Sequence, residues 1–168
     1  GMVLCALFAA MTAVLSQVAI PLPLVPINMA LLAVYLAGGV LGARFGALSQ
    51  VVYVCLGAVG LPVFSFFRGG IGIILGPTGG YIAGYIVAAG VVGFWVERYG
   101  EGFWQLALGI VLGLALCYAL GSAWFMVVTH NTLSAALGAC VLPFLPGDVV
   151  KIVLAAVLIP KIRAAVRW

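Results

Sequence analysis

The chain has 168 residues, of which 67% are hydrophobic and only 6% are charged. An ordinary soluble domain carries about 25% charged residues, so seven basic and three acidic side chains are too few to cover a globule of this size in water. The composition therefore indicates a single integral membrane domain over residues 1–168. The net charge of +4 comes from scattered basic residues, which does not indicate nucleic-acid binding.

The apolar stretches predict six membrane-spanning helices. The first ends at a proline cluster, Pro21, Pro23 and Pro26, which a helix interior does not tolerate. It lacks the basic segment that begins a signal peptide, so we expect it to be retained. The predicted spans are 2–20, 28–42, 46–60, 78–96, 103–128 and 147–166, with a short additional helix at 132–142. These spans predict an all-α membrane protein built as a six-transmembrane-helix bundle.

The basic residues predict the orientation of the spans. If six spans alternate across the membrane, five of the seven basic residues lie on the same side as both termini. Basic residues accumulate in cytoplasmic loops, so we expect a multi-pass protein of the cell membrane with both termini in the cytoplasm. The proline cluster, Arg68, Asp148 and Lys151 then lie at the outer face. The five basic residues of the cytoplasmic side are Arg44, Arg98, Lys161, Arg163 and Arg167.

The first span carries small residues four positions apart. Ala6 and Ala10 form one AxxxA pair, and Ala9 and Ala13 form a second. Such a face lets another helix approach closely. Taken from the residues alone, packing within the bundle is the simpler explanation for these alanines.

Two opposite charges, Asp148 and Lys151, stand at the beginning of the last span. Pro146 and Gly147 predict a helix start at Asp148, where a carboxylate caps the helix and interacts favourably with its dipole. Lys151 lies one turn further on, where the dipole disfavours a cation, and it needs the anion that Asp148 supplies at i−3. The pair presents an acceptor beside a donor, which suits a ligand with an N–H beside a C=O, such as a urea or an amide. A purely structural ion pair is the alternative interpretation.

A glycine-rich segment, LPVFSFFRGGIGIILGPTGGY at 61–81, is the second candidate site. Irregular backbone at membrane depth has to line a cavity or be buried in protein, and this segment is too rich in glycine for a lipid-facing span. Its phenylalanines supply an apolar surface, and Arg68 supplies its only full charge. We expect a binding lid, with a flexible connector as the alternative. The candidate contacts within the segment are Phe64, Ser65, Arg68 and Gly70.

The fourth span begins directly after this segment. Thr78, Tyr81 and Tyr85 are spaced i, i+3 and i+7, which places them on one helix face. The N–H groups at the start of this helix favour an anion such as a carboxylate. We therefore expect this end of the fourth helix to contribute to the same binding site.

Motifs for catalysis or metal binding are absent from the sequence. It contains no GxxxxGK(S/T), no HExxH, no nucleophile elbow and no carboxylate pair for acid–base chemistry, so neither catalysis nor ATP binding is predicted. The four cysteines lie far apart and form no CxxC pair, so no metal or redox site is predicted. Glu97 and Glu101 flank a cytoplasmic turn and are predicted to be solvated loop charges. What remains is a transporter or a membrane receptor for a small, mostly apolar solute.

Several stretches match a known pattern. GLPVF…GG…GPTGGY at 60–81 and LPFLPGDVVK at 142–151 are the most specific of them. IPLPLVPIN at 20–28 and LAGGVLGARFG at 36–46 extend the similarity over nearly the whole chain. At these positions the sequence resembles the BioY family, the biotin-binding S components of energy-coupling factor (ECF) transporters.

The resemblance implies a six-helix bundle of the ECF S-component type that binds biotin from the outside. It implies association with a transmembrane T protein and two cytoplasmic ATPase subunits, so that ATP is used by the partners only and this chain has no cofactor of its own. It also implies that the alanine face of the first span is the docking surface for the T protein, in place of internal packing. The chain is then expected to be a substrate-capture component and not an enzyme.

The resemblance further assigns the charged pair of the last span to the biotin site. Asp148 would accept a hydrogen bond from a ureido N–H, and Lys151 would donate one to the ureido oxygen. Tyrosines and phenylalanines would surround the thiophane ring and the valeryl chain. Arg68, or the N–H groups at the start of the fourth helix, would hold the carboxylate.

One segment departs from the family's pattern. A Thr-Gln type of pair often follows the proline loop in the family, where this chain has Asn28-Met29-Ala30, so Asn28 would supply the polar contacts of that loop alone. Two alternatives to a biotin S component stay open. One is an S component for another vitamin, and the other is a membrane assembly subunit without a transport function, in which Asp148 and Lys151 only fix the topology.

Overall fold

The computed structural model describes residues 2–17, 19–20, 27–64, 69–76, 79–100, 102–130, 132, 134 and 145–166. Within them lie helices and one short two-stranded ribbon. The helices are α1 (Met2–Ser16), α2 (Ala30–Ala58), α3 (Ile71–Leu75), α4 (Gly79–Tyr99), α5 (Phe103–Thr129) and α6 (Leu145–Val166). The strands are β1 (Ala19–Ile20) and β2 (Ile27–Asn28), which pair antiparallel on either side of the proline cluster. Apart from positions 132 and 134, the short helix predicted at 132–142 lies outside the described residues.

The helices have the length and composition of membrane spans. Two continuous helices, α4 and α5, are long and apolar enough to cross a bilayer, and α2 reaches that length only over its two halves together. The apolar helix α1 is shorter, and α6 combines a long apolar stretch with four charged residues. These properties make the chain a multi-pass membrane protein.

Helix α2 is not one continuous rod, because the chain reverses at Gly42. Gly42 has φ +88° and ψ 177°, a non-helical conformation that glycine adopts without strain. A Cβ added to Gly46 would lie 2.7 Å from the Cα of Gly38, whereas residues eight apart in a straight helix are about 12 Å apart. The two halves therefore fold back on each other as a first arm (30–41) and a second arm (43–58). They correspond to the second and third predicted spans.

Charged side chains from other helices cap the two arms at this reversal. The Oε1 atom of Glu97 in α4 accepts a hydrogen bond from the N–H of Ala43, the first residue of the second arm, at 3.1 Å. The Nη1 atom of Arg163 in α6 donates to the carbonyl oxygen of Gly39, near the end of the first arm, at 2.8 Å. Helix ends carry N–H and C=O groups without intrahelical partners. A carboxylate at the beginning of a helix and a guanidinium at its end also match the sign of the helix dipole. Glu97 is therefore more than the solvated loop charge that the sequence predicted.

The arms of α2 form the centre of the bundle. They pack against α1 and α4, α4 also packs against α5, and α6 lies against α2 and α5. Helix α1 is joined to the second arm by buried polar side chains, since Gln50 Nε2 donates to Thr12 Oγ1 at 3.2 Å and lies 3.2 Å from Ser49 Oγ. At the end of α1, Gln17 Nε2 donates to the carbonyl oxygen of Phe64 at 2.8 Å.

The reversal of α2 depends on a close crossing with α4, which a pair of glycine substitutions can test. A Cβ on Gly93 would overlap Ala43 N and Gly42 C, whereas one on Gly90 would meet only Ala47 Cβ, at 3.8 Å. We expect Gly93→Ala to lower the thermal unfolding temperature of the detergent-purified protein by several degrees, because overpacking costs about 1–3 kcal/mol. The control, Gly90→Ala, lies one turn away on the same helix and should leave that temperature unchanged or raise it, because alanine has the higher helix propensity. Equal effects of the two substitutions would contradict the close crossing.

Candidate functional site

The charged pair of α6 faces the interior of the bundle. Asp148, Lys151, Ala155 and Ile159 are spaced three, four and four residues apart, so they form one stripe on the helix. Asp148 is 1% exposed and Lys151 is 4% exposed. The two valines between them in sequence, at positions 149 and 150, are 61% and 57% exposed. This turn of α6 thus buries its charges and exposes its apolar side chains, the reverse of a helix on a soluble protein.

The two charges are close but do not saturate each other. Lys151 Nζ lies 3.6 Å from Asp148 Oδ1, which is longer than a hydrogen bond. Neither carboxylate oxygen of Asp148 has a hydrogen-bond partner within the described part of the chain. A buried carboxylate without hydrogen bonds is costly, so this arrangement keeps strong acceptor and donor capacity available for a ligand.

Buried side chains from two other helices lie near the pair. Tyr35 of the first arm and Cys117 of α5 are both fully buried and lie within electrostatic reach of Asp148. Tyr85 of α4 is a buried neighbour of Tyr35. Tyr35 was not among the residues predicted from the sequence, and no metal or redox role was predicted for Cys117. Tyr35 did carry a signal, because its hydroxyl is the only polar side-chain group within the first arm.

Aromatic rings continue from Tyr85 to the glycine-rich segment. The ring centroids of Tyr85 and Tyr53 are 6.3 Å apart, and those of Tyr53 and Phe64 are 5.6 Å apart in an edge-to-face arrangement. Phe64 is buried against Gly57, where a Cβ would overlap its ring. The Tyr53 hydroxyl donates to the carbonyl oxygen of Val63 at 3.1 Å, which fixes the ring at the base of this segment. Phe64 and Tyr85, both predicted site residues, therefore belong to one aromatic row.

Tyr81 has a different environment, although it shares a helix face with Tyr85. Its ring packs edge-to-face on Tyr118 with centroids 6.2 Å apart, against Gly121 of α5. Its hydroxyl lies 3.5 Å from Ser122 Oγ. Within the described residues, Tyr81 thus contributes to the α4–α5 interface, and its role as a ligand contact stays a prediction.

Only part of the remaining predicted site is described. Gly70 has φ +100° and precedes α3, and its N–H donates to the carbonyl oxygen of Gly57 at 2.5 Å, so it is tied to the end of α2. For Asn28 the backbone alone is described, and it pairs with Ala19. Three further predicted contacts lie outside the described residues: Ser65, Arg68 and Thr78.

The alanines of α1 divide between two environments. Ala9 is buried against the core, and Ala13 is half-buried. Ala6 and Ala10 are exposed on the opposite side of the helix, beside the exposed side chains of Val3 and Leu7. The AxxxA pair available at the surface is therefore Ala6 and Ala10.

A metal centre is not apparent in the described ranges, where no three His, Cys, Asp or Glu side chains come together. The described cysteines, Cys5, Cys55 and Cys117, are free thiols.

Comparisons with known proteins agree over the full length of the chain. A sequence profile of the BioY family matches residues 1–168. The chain is 38% identical over 157 residues to the biotin transporter BioY of Thermotoga maritima, which covers 94% of this chain and 92% of that protein. It is 43% identical over 160 residues to the biotin transporter BioY of Rhodobacter capsulatus, with 88% and 84% of the two proteins covered.

A solved structure has the same fold. The crystal structure of the S-component for biotin from an ECF-type ABC transporter superposes with a TM-score of 0.90 at 26% identity, covering 97% of this chain and 90% of that one. The all-α fold of the ECF S-component type, which the sequence predicted, is confirmed by this match. Because the family profile spans every residue and several relatives exceed 30% identity over most of their length, the chain belongs to the BioY family.

Proposed function

We propose that this protein is the substrate-capture (S) component of an ECF-type vitamin uptake transporter and that its ligand is biotin. Family membership and the names of the relatives support this assignment. The similar crystal structure, that of an S-component for biotin, supports it as well. The observation that carries it within this chain is the buried Asp148–Lys151 pair, whose carboxylate oxygens have no hydrogen-bond partner among the described residues.

The chemistry of this pair complements the ureido ring of biotin. That ring presents N–H donors beside a carbonyl acceptor. Asp148 accepts from a ring N–H, and Lys151 donates to the ureido oxygen. Hydrogen bonds to charged groups contribute about 1.5–3 kcal/mol each, and here they form in a site shielded from water by the bundle. A neutral ureido ring also satisfies both charges without adding a third.

The remaining contacts follow from the shape of the ligand. The row of Tyr85, Tyr53 and Phe64 offers aromatic surface to the thiophane ring and the valeryl chain. Arg68, or the N–H groups at the start of α4, holds the carboxylate at the other end of biotin. The further proposed contacts are Asn28, Ser65, Gly70, Thr78 and Tyr81.

Delivery of biotin requires partner subunits. We infer that both termini are cytoplasmic and that biotin is captured at the outer face. A transmembrane T protein then docks on the exposed pair Ala6 and Ala10, where small side chains allow close helix approach. Two cytoplasmic ATPase subunits supply the energy, so that ATP hydrolysis lies outside this chain and the chain itself performs no catalysis.

Titration of biotin tests the role of the charged pair. We expect the detergent-purified parent to bind biotin tightly by isothermal titration calorimetry, and Asp148→Asn and Lys151→Met each to weaken binding about 10–100-fold, because each removes a charged hydrogen bond. Val150→Ala is the matched control, since it alters the exposed face of the same helical turn and should keep the parent affinity. Thermal unfolding without ligand verifies that each variant is folded.

Other outcomes of this titration are equally informative. Unchanged affinity in both charge variants would make the pair structural and leave biotin as the ligand. A parent that fails to bind biotin would contradict the proposed function. Titration with riboflavin and thiamine would then separate an S component for another vitamin from a protein without a vitamin ligand.

Docking on α1 gives a further prediction. Ala10→Leu places a large side chain on the exposed AxxxA pair and should reduce co-purification of the T protein at least about tenfold, with the biotin affinity unchanged. Ala119→Leu is the control, because it makes the same substitution on the exposed face of α5. Equal recovery of the T protein with both variants would place the docking surface elsewhere.

A further inference from the structure

The hydroxyl group of Tyr35 is buried without a hydrogen-bond partner in the described part of the chain. The residue is 0% exposed, in the first arm of α2. Buried tyrosine hydroxyls usually find a partner, and the hydroxyl of Tyr53 follows this rule by donating to Val63. An unpartnered hydroxyl costs free energy in the empty protein, so its position needs a reason other than stability.

The packing of α6 on the first arm shows where this hydroxyl lies. Gly39 is in contact with Ile159, and Tyr35 is an electrostatic neighbour of Asp148. The residue with the lower number in the first arm is thus paired with the residue with the lower number in α6, so the two helices run parallel. Tyr35 is one turn before Gly39 and therefore stands near the level of Ala155. Long helical side chains lean toward the N-terminus of their own helix, which carries the hydroxyl about one further turn, to the level of Lys151.

Three polar groups from two helices thus lie within about one helical turn of each other. They are the Tyr35 hydroxyl, the Asp148 carboxylate and the Lys151 ammonium. The hydroxyl and both carboxylate oxygens are buried without hydrogen bonds to the residues described, and Lys151 Nζ stays 3.6 Å from Asp148 Oδ1. Ala155, on the same stripe of α6, is fully buried and has a small side chain, which allows a neighbouring helix to approach closely.

We propose that Tyr35 is a specificity-determining residue that donates a hydrogen bond to the ureido oxygen of biotin, beside the one from Lys151. This inference rests on the proposed function and adds a residue to it. A carbonyl oxygen has two lone pairs and accepts from two donors, while Asp148 accepts from a ring N–H. Because Tyr35 and Lys151 both donate to the ureido oxygen, the site favours biotin over an analogue in which a weaker hydrogen-bond acceptor replaces that oxygen.

Two ligands and two variants test the proposal. Biotin and 2-thiobiotin, in which sulfur replaces the ureido oxygen, are titrated calorimetrically into the detergent-purified parent, Tyr35→Phe and Tyr99→Phe. We expect Tyr35→Phe to weaken biotin binding about tenfold and 2-thiobiotin binding much less, so that the preference for biotin shrinks. Tyr99→Phe removes the hydroxyl of an exposed side chain at the far end of α4, and it should keep the preference of the parent.

Unfolding of the empty protein distinguishes a ligand contact from a structural role. Without biotin, Tyr35→Phe should unfold at the same temperature as the parent or higher, because it removes a buried hydroxyl that has no hydrogen-bond partner among the residues described. Tyr53→Phe should unfold at a lower temperature, because it loses a hydrogen bond. A lower unfolding temperature for Tyr35→Phe together with an unchanged preference would make Tyr35 structural.

The failure of this inference is distinguishable from that of the proposed function. Equal weakening of both ligands by Tyr35→Phe would place its contact away from the ureido oxygen and overturn the inference, while the proposed function would stand. A parent that binds neither ligand would overturn both.

Discussion

At Gly42 the chain turns back on itself, and the two helix ends created there need hydrogen-bond partners. Glu97 supplies an acceptor to the beginning of the second arm, and Arg163 supplies donors to the end of the first. Each charge has the sign that the helix dipole favours. The second contact also sets the register of α6 against the first arm. The position of Asp148 and Lys151 relative to Tyr35 therefore depends on the capping of a turn at the opposite end of these helices.

The inverted polarity of α6 follows from the surroundings of a membrane helix. Valines at 149 and 150 face outward because hydrocarbon accepts them, and the charged side chains face inward because hydrocarbon does not. Burial with few hydrogen bonds to the described residues leaves these charges able to bind a polar ligand strongly. A water-filled site would weaken the same contacts through its higher dielectric constant. Family membership and this arrangement point to the same kind of ligand, a small molecule with a compact polar head and an apolar body.

Much of the fold, and the charged pair at the centre of the candidate site, could be predicted from the sequence, because isolated charges in apolar stretches are conspicuous. Asp148 and Lys151 were identified in this way. Spacing also placed Tyr81 and Tyr85 on one face of α4, but spacing does not indicate which neighbour a face meets. Tyr81 packs on α5, whereas Tyr85 packs on Tyr53. The two alanine pairs of α1 show the same limit, since only one pair is exposed.

Contacts between distant segments could not be predicted. The local sequence predicts that Glu97 is a loop charge, whereas its hydrogen-bond partner Ala43 is 54 positions away in the chain. Tyr35 has the only polar side chain of the first arm, but the sequence does not indicate that this arm packs against α6. In each case the function of the side chain depends on a helix that no local pattern connects to it.

The hydrogen bonds between α1 and the second arm have a mechanical consequence. Gln50 holds Thr12 through side-chain atoms that are fully enclosed, with no solvent to replace the contact if it breaks. Helix α1 is therefore unable to rotate about its own axis or slide past the second arm at low cost. A force applied to the outer surface of α1 would tilt α1 and the second arm together. Both contact Phe64, through Gln17 of the chain after α1 and Tyr53 of the second arm, so the tilt would be transmitted to the base of the glycine-rich segment.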